Sequence, residues 1–298
     1  MKYSVGIDIG GTNSRVALID DNFKIEERVQ FPTNCDDPDE TLEKIASVIK
    51  GFNKDIVGVG LSCPGPLDLR KGCILTTPNL GSRWWGFSIP GRITELTGLP
   101  CTLQNDANLA ALGEAVAGEG KYKDVVQFLT ISTGVGSGQV VNGKIYDGAH
   151  GFAHEVANCI LWQNGPKQGS LVPGAVEAIC SGTAITKRAQ DAGLHVQHAG
   201  EVNDLALDGN ETAAKIMDEA KEYLANMIAI LVAIVDPDIV ILGGSVAMKI
   251  DGFVEDVEDR VKTKVFPMVA DYVKLRRSTL GEDSGLIGAG ALAFGDMK

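Results

Sequence analysis

Two stretches of this chain repeat one arrangement of apolar and polar positions. Residues 3–20, YSVGIDIGGTNSRVALID, run as an apolar segment, a glycine-rich polar turn and an alternating apolar segment. Residues 126–146, VQFLTISTGVGSGQVVNGKIY, do the same. Each predicts a β-hairpin whose turn uses small residues for positive φ or for close approach to a ligand. A pattern that recurs far along the chain predicts two related α/β domains facing each other.

The remaining segments fit that scheme. Leu42, Ile45 and Ile49 give residues 41–51 a helical spacing. DIVGVGLS at 55–62 reads as a buried strand entering the turn Cys63-Pro64-Gly65-Pro66. Ile89–Thr97 predicts a helix ended by Gly98 and Pro100, and Cys101–Gln104 a short strand. That strand runs into Asn105-Asp106, and 107–117 reads as an alanine-rich helix. The second half is more helical, over 183–191, 210–235 and 253–265. Residues 213–235 are amphipathic early and strongly apolar late, which predicts a core helix. DIVIL at 238–242 is a buried strand ending in Gly243-Gly244-Ser245, and 285–294 is a small-residue helix suited to close packing between domains. Strands alternating with helices indicate α/β architecture. The expected division is a small domain of 1–118 plus 286–298 and a large one of 119–285, with no Pro/Ser linker between them.

Composition narrows the function classes. With 298 residues the chain can bury a sizeable core. Its formal net charge of −12 argues against nucleic acid or anionic lipid as a partner. The first residues enter a strand pattern with no leader-like segment, and no apolar run reaches the length of a membrane span. Six scattered cysteines without a CxxC pair read as reduced thiols. A cytoplasmic location is therefore expected.

The glycine turns carry the candidate chemistry. Asp8-Ile9-Gly10-Gly11-Thr12-Asn13 sets an acid at a strand end before two glycines and a hydroxyl. Backbone N–H groups at such a turn can donate to phosphate, and Asp8 can hold Mg²⁺ directly or through water. A plain glycine-closed hairpin is the competing reading. The turn with Thr133, Gly134 and Gly136 offers the same chemistry, and two phosphate turns are more specific than one. Gly243-Gly244 suits either the adenosine part of a nucleotide or a tight strand-to-helix connection. In Gln104-Asn105-Asp106-Ala107-Asn108, Asp106 at a strand-to-helix junction is a candidate general base, a carboxylate able to orient an acceptor hydroxyl and take its proton. Helix capping by Asn105 or Asp106 is the alternative.

DIGGTNSRVALID, QNDANLAALGEA, the STGVGSG turn, GAHGFAHEV and DIVILGG together resemble the ROK family, in that family's order and along essentially the whole chain. That family groups bacterial sugar kinases with sugar-responsive repressors. The resemblance implies a two-domain, actin-like (hexokinase-like) α/β fold with a cleft between domains, ATP and Mg²⁺ as co-substrate and cofactor, and a homodimer. It implies Asp106 as base. It also implies a sugar site of Asn79, Asn105, Asp106, Glu155, Asn158 and Glu177, several convergent groups because each hydroxyl both donates and accepts. A solvated helix face is the plain alternative for Glu155 and Glu177.

Two departures from the family matter. Its ExGH and CxCGxxGC patterns supply a structural zinc. Here the His position is Asn158, and no cysteine lies between Cys159 and Cys180. A closed zinc site needs thiolate and imidazole ligands, so no zinc is expected. Asn158 also lacks the charge of the sugar-contacting histidine it replaces. The 6-hydroxyl of glucose or a related hexose is the family's default acceptor; N-acetylmannosamine and β-glucosides stay open. His154 is read as a satisfied hydrogen-bonding residue. Arg83-Trp84-Trp85 reads equally as a sugar-stacking wall or a core anchor.

Other classes fit less well. A repressor of this family carries an N-terminal helix-turn-helix, for which the start of this sequence leaves no room, and the acidity opposes DNA binding. A bare ATPase has no task for Asn105, Asp106, Glu155 and Glu177. A dinucleotide site is disfavoured because the first turn lacks GxGxxG and leads into a strand.

Overall fold

The computed structural model describes residues 1–63, 65–77 and 79–295. Pro64 of the turn quoted above, Pro78 just before Asn79, and 296–298 of the expected small domain lie outside the described residues. In chain order the elements are β1 (Tyr3–Ile9), β2 (Asn13–Asp20), β3 (Ile25–Pro32), α1 (Pro38–Gly51), β4 (Ile56–Ser62), β5 (Leu67–Asp68), β6 (Cys73–Ile74), α2 (Ile89–Thr97), β7 (Cys101–Gln104) and α3 (Asp106–Ala117). There follow β8 (Val125–Ile131), β9 (Val135–Val141), β10 (Lys144–Ile145), α4 (Val176–Cys180), α5 (Gly182–Asp191), α6 (Ala199–Leu207), α7 (Glu211–Val235) and β11 (Ile239–Gly243). The chain ends through α8 (Gly244–Lys249), α9 (Phe253–Lys262), α10 (Pro267–Ala270), β12 (Leu275–Arg277) and α11 (Ser284–Phe294).

Two compact units result. The first comprises Met1–Tyr122, Gly138–Ala153 and Glu282–Lys298, the second Lys123–Ser137 and His154–Gly281. Gly138–Ala153, which the sequence grouped with the second domain, clusters with the first. The reason is local. A Cβ on Gly138 would lie 2.6 Å from the Ala107 carbonyl oxygen, and Asp147 accepts a hydrogen bond from Gln104 at 2.8 Å.

The first unit is built on a sheet of order β3-β2-β1-β4-β7. The hairpin strands pair antiparallel, while β1, β4 and β7 run parallel. Asp8, Ser62 and Gln104 stand in register across those three strands, near their carboxyl ends. Pro38 in the first turn of α1 and the Asp37 cap start that helix, and its Leu42, Ile45 and Ile49 face the sheet core. Burying each such side chain contributes about 1.5–3 kcal/mol. The α11 helix packs inside this unit, on β1, β4 and α3, rather than between domains. Its small residues are required there: a Cβ on Gly288 would sit 1.7 Å from the Leu109 carbonyl oxygen.

The second sheet has the order β10-β9-β8-β11-β12. In the second unit α7 lies in the core, with Leu224, Ile228 and Leu231 buried. Asn210 caps it, and Asp236 ends it in a left-handed conformation at φ 51°. No helix among the described residues is long and apolar enough to cross a membrane.

Candidate active site

In the first unit the residues expected from the sequence gather at the carboxyl ends of β1, β4 and β7. Ligand sites in α/β sheets form at such ends. Asp8 stands opposite Arg15 in the hairpin. The Arg15 guanidinium donates to Asp8 Oδ2 from Nε at 3.1 Å and from Nη2 at 2.6 Å. Both side chains are 24% exposed, so the pair contributes about 1 kcal/mol or less. The pair also orients the carboxylate. The turn itself is pinned by Gly10 N–H to Asn13 O at 2.9 Å and Thr33 N–H to Thr12 O at 3.0 Å. The Cys35 thiol donates to Gly11 O at 2.8 Å. A Cβ on Gly11 would lie 2.7 Å from the Asn79 carbonyl oxygen, so this glycine turn and Asn79 are immediate neighbours. Thr12, Asn13 and Asn79 are exposed.

Asp106 is the first residue of α3, and Asn105 is its cap. Asn105 Oδ1 accepts from Ala107 N–H at 2.9 Å and Asn108 N–H at 3.3 Å. That leaves only its Nδ2 for a substrate. Capping therefore belongs to Asn105, while Asp106 accepts one bond, from Ala107 N–H at 2.8 Å. The surrounding protein mass holds the Asp106 carboxyl above the usual carboxylate range, the Asp8 charge adds to this, and the Ala107 N–H opposes it. The nearby Cys63 thiol is pushed far up by burial and by the charges of Asp8 and Asp106. A carboxylate whose charge raises the proton affinity of its neighbour fits a hard divalent cation, which would relieve the repulsion. Mg²⁺ commonly takes one or two carboxylates plus phosphate oxygens, so Asp8 fits the expected metal role. Trp84 resolves as a core anchor, fully buried with Nε1 donating to Asn34 O at 3.2 Å. Trp85 is exposed.

The second unit holds the other glycine turn. Ser132 N–H donates to Gly134 O at 2.9 Å, and Val135 N–H donates to Glu177 Oε2 at 2.8 Å. A Cβ on Gly134 would lie 2.6 Å from that same oxygen. Glu177, expected to touch sugar, thus spends one carboxylate oxygen on the turn. The segment carrying Asn158 lies beside it, through Val176 N–H to Cys159 O at 2.9 Å and Glu177 N–H to Ala157 O at 3.0 Å. Asn158 Oδ1 accepts from Val172 N–H at 2.9 Å, leaving its amide NH₂. Glu155 and Asn158 are exposed. His154 is half-buried in a left-handed conformation at φ 65°, and burial holds its imidazole below the usual range.

Gly244 has φ 83°, and a Cβ there would lie 2.4 Å from Ile131 O. The Gly243-Gly244 turn therefore abuts the end of β8 and opens α8. Ser245, next in line, meets Ser132 through their hydroxyls at 3.2 Å. A cavity of ≈ 720 Å³ lies here, lined by Thr133, Gly182, Lys187, His198, Ser245 and Lys249 among others. Sequence reasoning missed Gly182, Lys187, His198 and Lys249. Gly182 had a signal, the Ser-Gly-Thr start of a helix: its N–H donates to Ser132 O at 2.6 Å.

The residues do not fit the zinc that the family pattern implies. Cys180 is buried, its thiol donates to Ala220 O at 3.3 Å, and burial pushes its pKa up. A zinc ligand must be thiolate. Cys159 is exposed. The loop that would carry metal ligands is instead held by backbone bonds, among them Gly174 N–H to Pro166 O at 2.8 Å. Trp162 at its start stacks on Tyr223 with ring centroids 5.0 Å apart.

Residues 4–295 match the ROK family. A glucokinase of Halalkalibacterium halodurans is 30% identical over 98% of this chain and 94% of its own. An N-acetylmannosamine kinase of Salmonella typhi is 32% identical over 98% and 99%. Among solved structures, a ROK hexokinase from Thermus thermophilus superposes with TM-score 0.89 at 31% identity, covering 98% of each chain. The α/β architecture is that of the actin-like, hexokinase-like ATPases, and the chain belongs to the ROK family.

Proposed function

We propose that this protein is a sugar kinase that transfers the γ-phosphoryl group of ATP to a hexose hydroxyl, with Asp106 as general base. The observation that carries this reading is the in-register row Asp8, Ser62 and Gln104. It brings a metal-competent acid, a phosphate turn and the start of α3 to one edge of one sheet. The two units serve as the functional domains: the first supplies the base and one phosphate turn, the second the other turn and the nucleotide cavity. The ≈ 720 Å³ cavity favours a nucleotide donor over polyphosphate, which has no nucleoside to fill it.

Asp8 would hold Mg²⁺ through oxygen, and the cation would supply positive charge against that of the phosphates. Backbone N–H groups at Gly10–Thr12, Thr133, Gly134 and Gly136 would orient the phosphates, and Gly243-Gly244 would back the nucleoside. Asn79, the NH₂ of Asn105, Glu155, the NH₂ of Asn158 and the second oxygen of Glu177 would hold sugar hydroxyls. Asp106 would accept the hydroxyl proton as the oxygen attacks. The raised pKa of Asp106 suits a base that must both accept and release a proton. We read the acceptor as the 6-hydroxyl of glucose or a related hexose. Asn158 keeps N-acetylmannosamine and β-glucosides in the panel, because an amide donor replaces a titratable imidazole. We also read the chain as a zinc-free cytoplasmic homodimer. The exposed side chains of Phe266 and Met268 favour a covered face, and sedimentation reads the mass directly.

The test is ADP release with Mg²⁺-ATP and a panel of glucose, mannose, N-acetylglucosamine, N-acetylmannosamine and cellobiose. One strong acceptor is expected. With it, Asp106→Asn should lose about 10²–10⁴-fold in turnover while a calorimetric sugar isotherm stays close to wild type. Full turnover in that variant, or no ADP from any sugar, overturns the reading.

A further inference from the structure

Behind Asp106 lies a buried polar network that the proposed chemistry does not use. Gln104 and Asn108 are 5% and 3% exposed. Gln104 Oε1 accepts from the backbone N–H of Asn105 at 2.7 Å and from Asn108 Nδ2 at 3.1 Å. Gln104 Nε2 donates to Asp147 Oδ1 at 2.8 Å, and Asn108 Nδ2 reaches the same oxygen at 3.4 Å. The Asp147 carboxylate therefore fixes which way round both amides sit. An amide can present either its oxygen or its NH₂ to a neighbour. Only with Nε2 toward Asp147 does Oε1 face the Asn105 N–H.

The arrangement has a cost. Asn108 Oδ1 is buried with no partner, and such a group is expensive to leave unmade. Turning the Asn108 amide over would satisfy nothing, because its oxygen would then face Gln104 Oε1 and Asp147 Oδ1. Burial raises the Asp147 pKa while the Gln104 bond opposes this. Asp147 is also held from its own side. Ala153 N–H donates to Asp147 O at 3.1 Å, and Arg70 Nη2 donates to Ala149 O at 2.8 Å. Costs of this kind persist where a network specifies one conformation.

We propose that Asp147 is a positioning residue for the catalytic segment: through Gln104 it holds the Asn105 peptide, and with it the start of the helix that bears Asp106. This rests on Asp106 being the base. Without Asp147, Gln104 Nε2 loses its acceptor, and only the Asn105 N–H and Asn108 Nδ2 are left to hold the amide's orientation. A turned amide would set two donors against each other and shift the residue before Asp106. Misplacing a reacting group by an ångström costs up to about 10²-fold.

The experiment compares Asp147→Ala, Asp147→Asn and Asp106→Asn, measuring kcat with the best sugar, KM for ATP and thermal midpoint. Asp147→Ala should lower kcat about tenfold with KM for ATP unchanged. Asp147→Asn, whose oxygen can still accept from Gln104, should restore most of it. An unchanged kcat in Asp147→Ala, or equal damage in the Asn variant, overturns the proposal. If Asp106→Asn keeps full turnover, the base assignment itself falls, a separate outcome. Should Asp147→Ala not fold, a reversed pair decides. Gln104→Glu alone sets two carboxylates together and should lower kcat, and adding Asp147→Asn supplies a donor and should recover it. Failure of that recovery also overturns the proposal.

Discussion

The two glycine turns look alike as sequence and are held in different ways. The turn after β1 is self-sufficient. Its acid, Asp8, is paired with Arg15 from the facing strand of the same hairpin. The turn after β8 has no acid of its own. It borrows Glu177, 42 residues beyond Val135, and Gly182, which contacts Ser132 from the start of α5. The first turn forms with its hairpin. The second is completed only when α4 and α5 dock. The two turns also use their carboxylates differently: Asp8 Oδ2 takes the Arg15 guanidinium, while Glu177 Oε2 takes a backbone N–H of the turn itself.

The largest effect that separates them is expected at Glu177. Truncation in Glu177→Ala leaves the Val135 N–H without its acceptor, and Val135 is buried. An unmade buried bond of this kind costs about 1–3 kcal/mol, or roughly 5- to 150-fold in an equilibrium constant. KM for ATP and KM for sugar should both rise, because one carboxylate serves both. Glu177→Gln keeps an acceptor, so its KM for ATP should stay near wild type while the sugar term suffers. An unchanged KM for ATP in Glu177→Ala would mean the turn stands without its borrowed acid, and the contrast would collapse.

At the first turn the expected effect is smaller and of opposite sign. Arg15→Leu removes the cation that shares Asp8, so Mg²⁺ should bind better. The partial exposure of the pair limits the gain to about 1 kcal/mol, roughly fivefold. A Mg²⁺ titration of kcat should therefore show a lower midpoint. A higher midpoint would mean that aiming the carboxylate matters more than competing for it.

The same contrast explains what was legible in the sequence. A hairpin turning at residues 10–12 sets position 8 opposite 15, so the Asp8–Arg15 pair was present in the pattern though not drawn from it. Asn105 and Asp106 were legible because strand, cap and alanine-rich helix adjoin. Glu177 was visible as a residue, but its bond to Val135 depends on docking between distant segments. Asp147 to Gln104 is the same case, 43 residues apart. The β3 strand escaped because its edge position lets IEERVQFP stay largely polar. The α6 helix escaped because it buries only Ala199 and Val202, too few positions to set a period. Trp84 could not be assigned from sequence, since a buried anchor and a stacking wall have the same composition.

The smallest expected effect concerns stability, and it bears on the first turn again. The Asp106 side chain reaches the surface, yet the protein mass around it and the Asp8 charge hold its carboxyl above its ordinary value, and an unfolded aspartate titrates near about 3.9. Between those two values the unfolded chain has already released the proton that the folded protein keeps. Stability therefore falls as pH rises through that window and stays reduced above it. The folded protein carries this cost wherever ionising Asp106 sets a second charge beside Asp8. Asp106→Asn removes the charge, so its thermal midpoint should exceed that of the wild type at neutral pH. The difference should shrink as the pH falls below the unfolded value, where the wild-type carboxyl is protonated in both states. Asp8→Asn should give part of the same gain through Asp106. A midpoint for Asp106→Asn that equals wild type at pH 7 would mean solvent already screens the two carboxylates, and the case for a divalent cation between them would weaken with it.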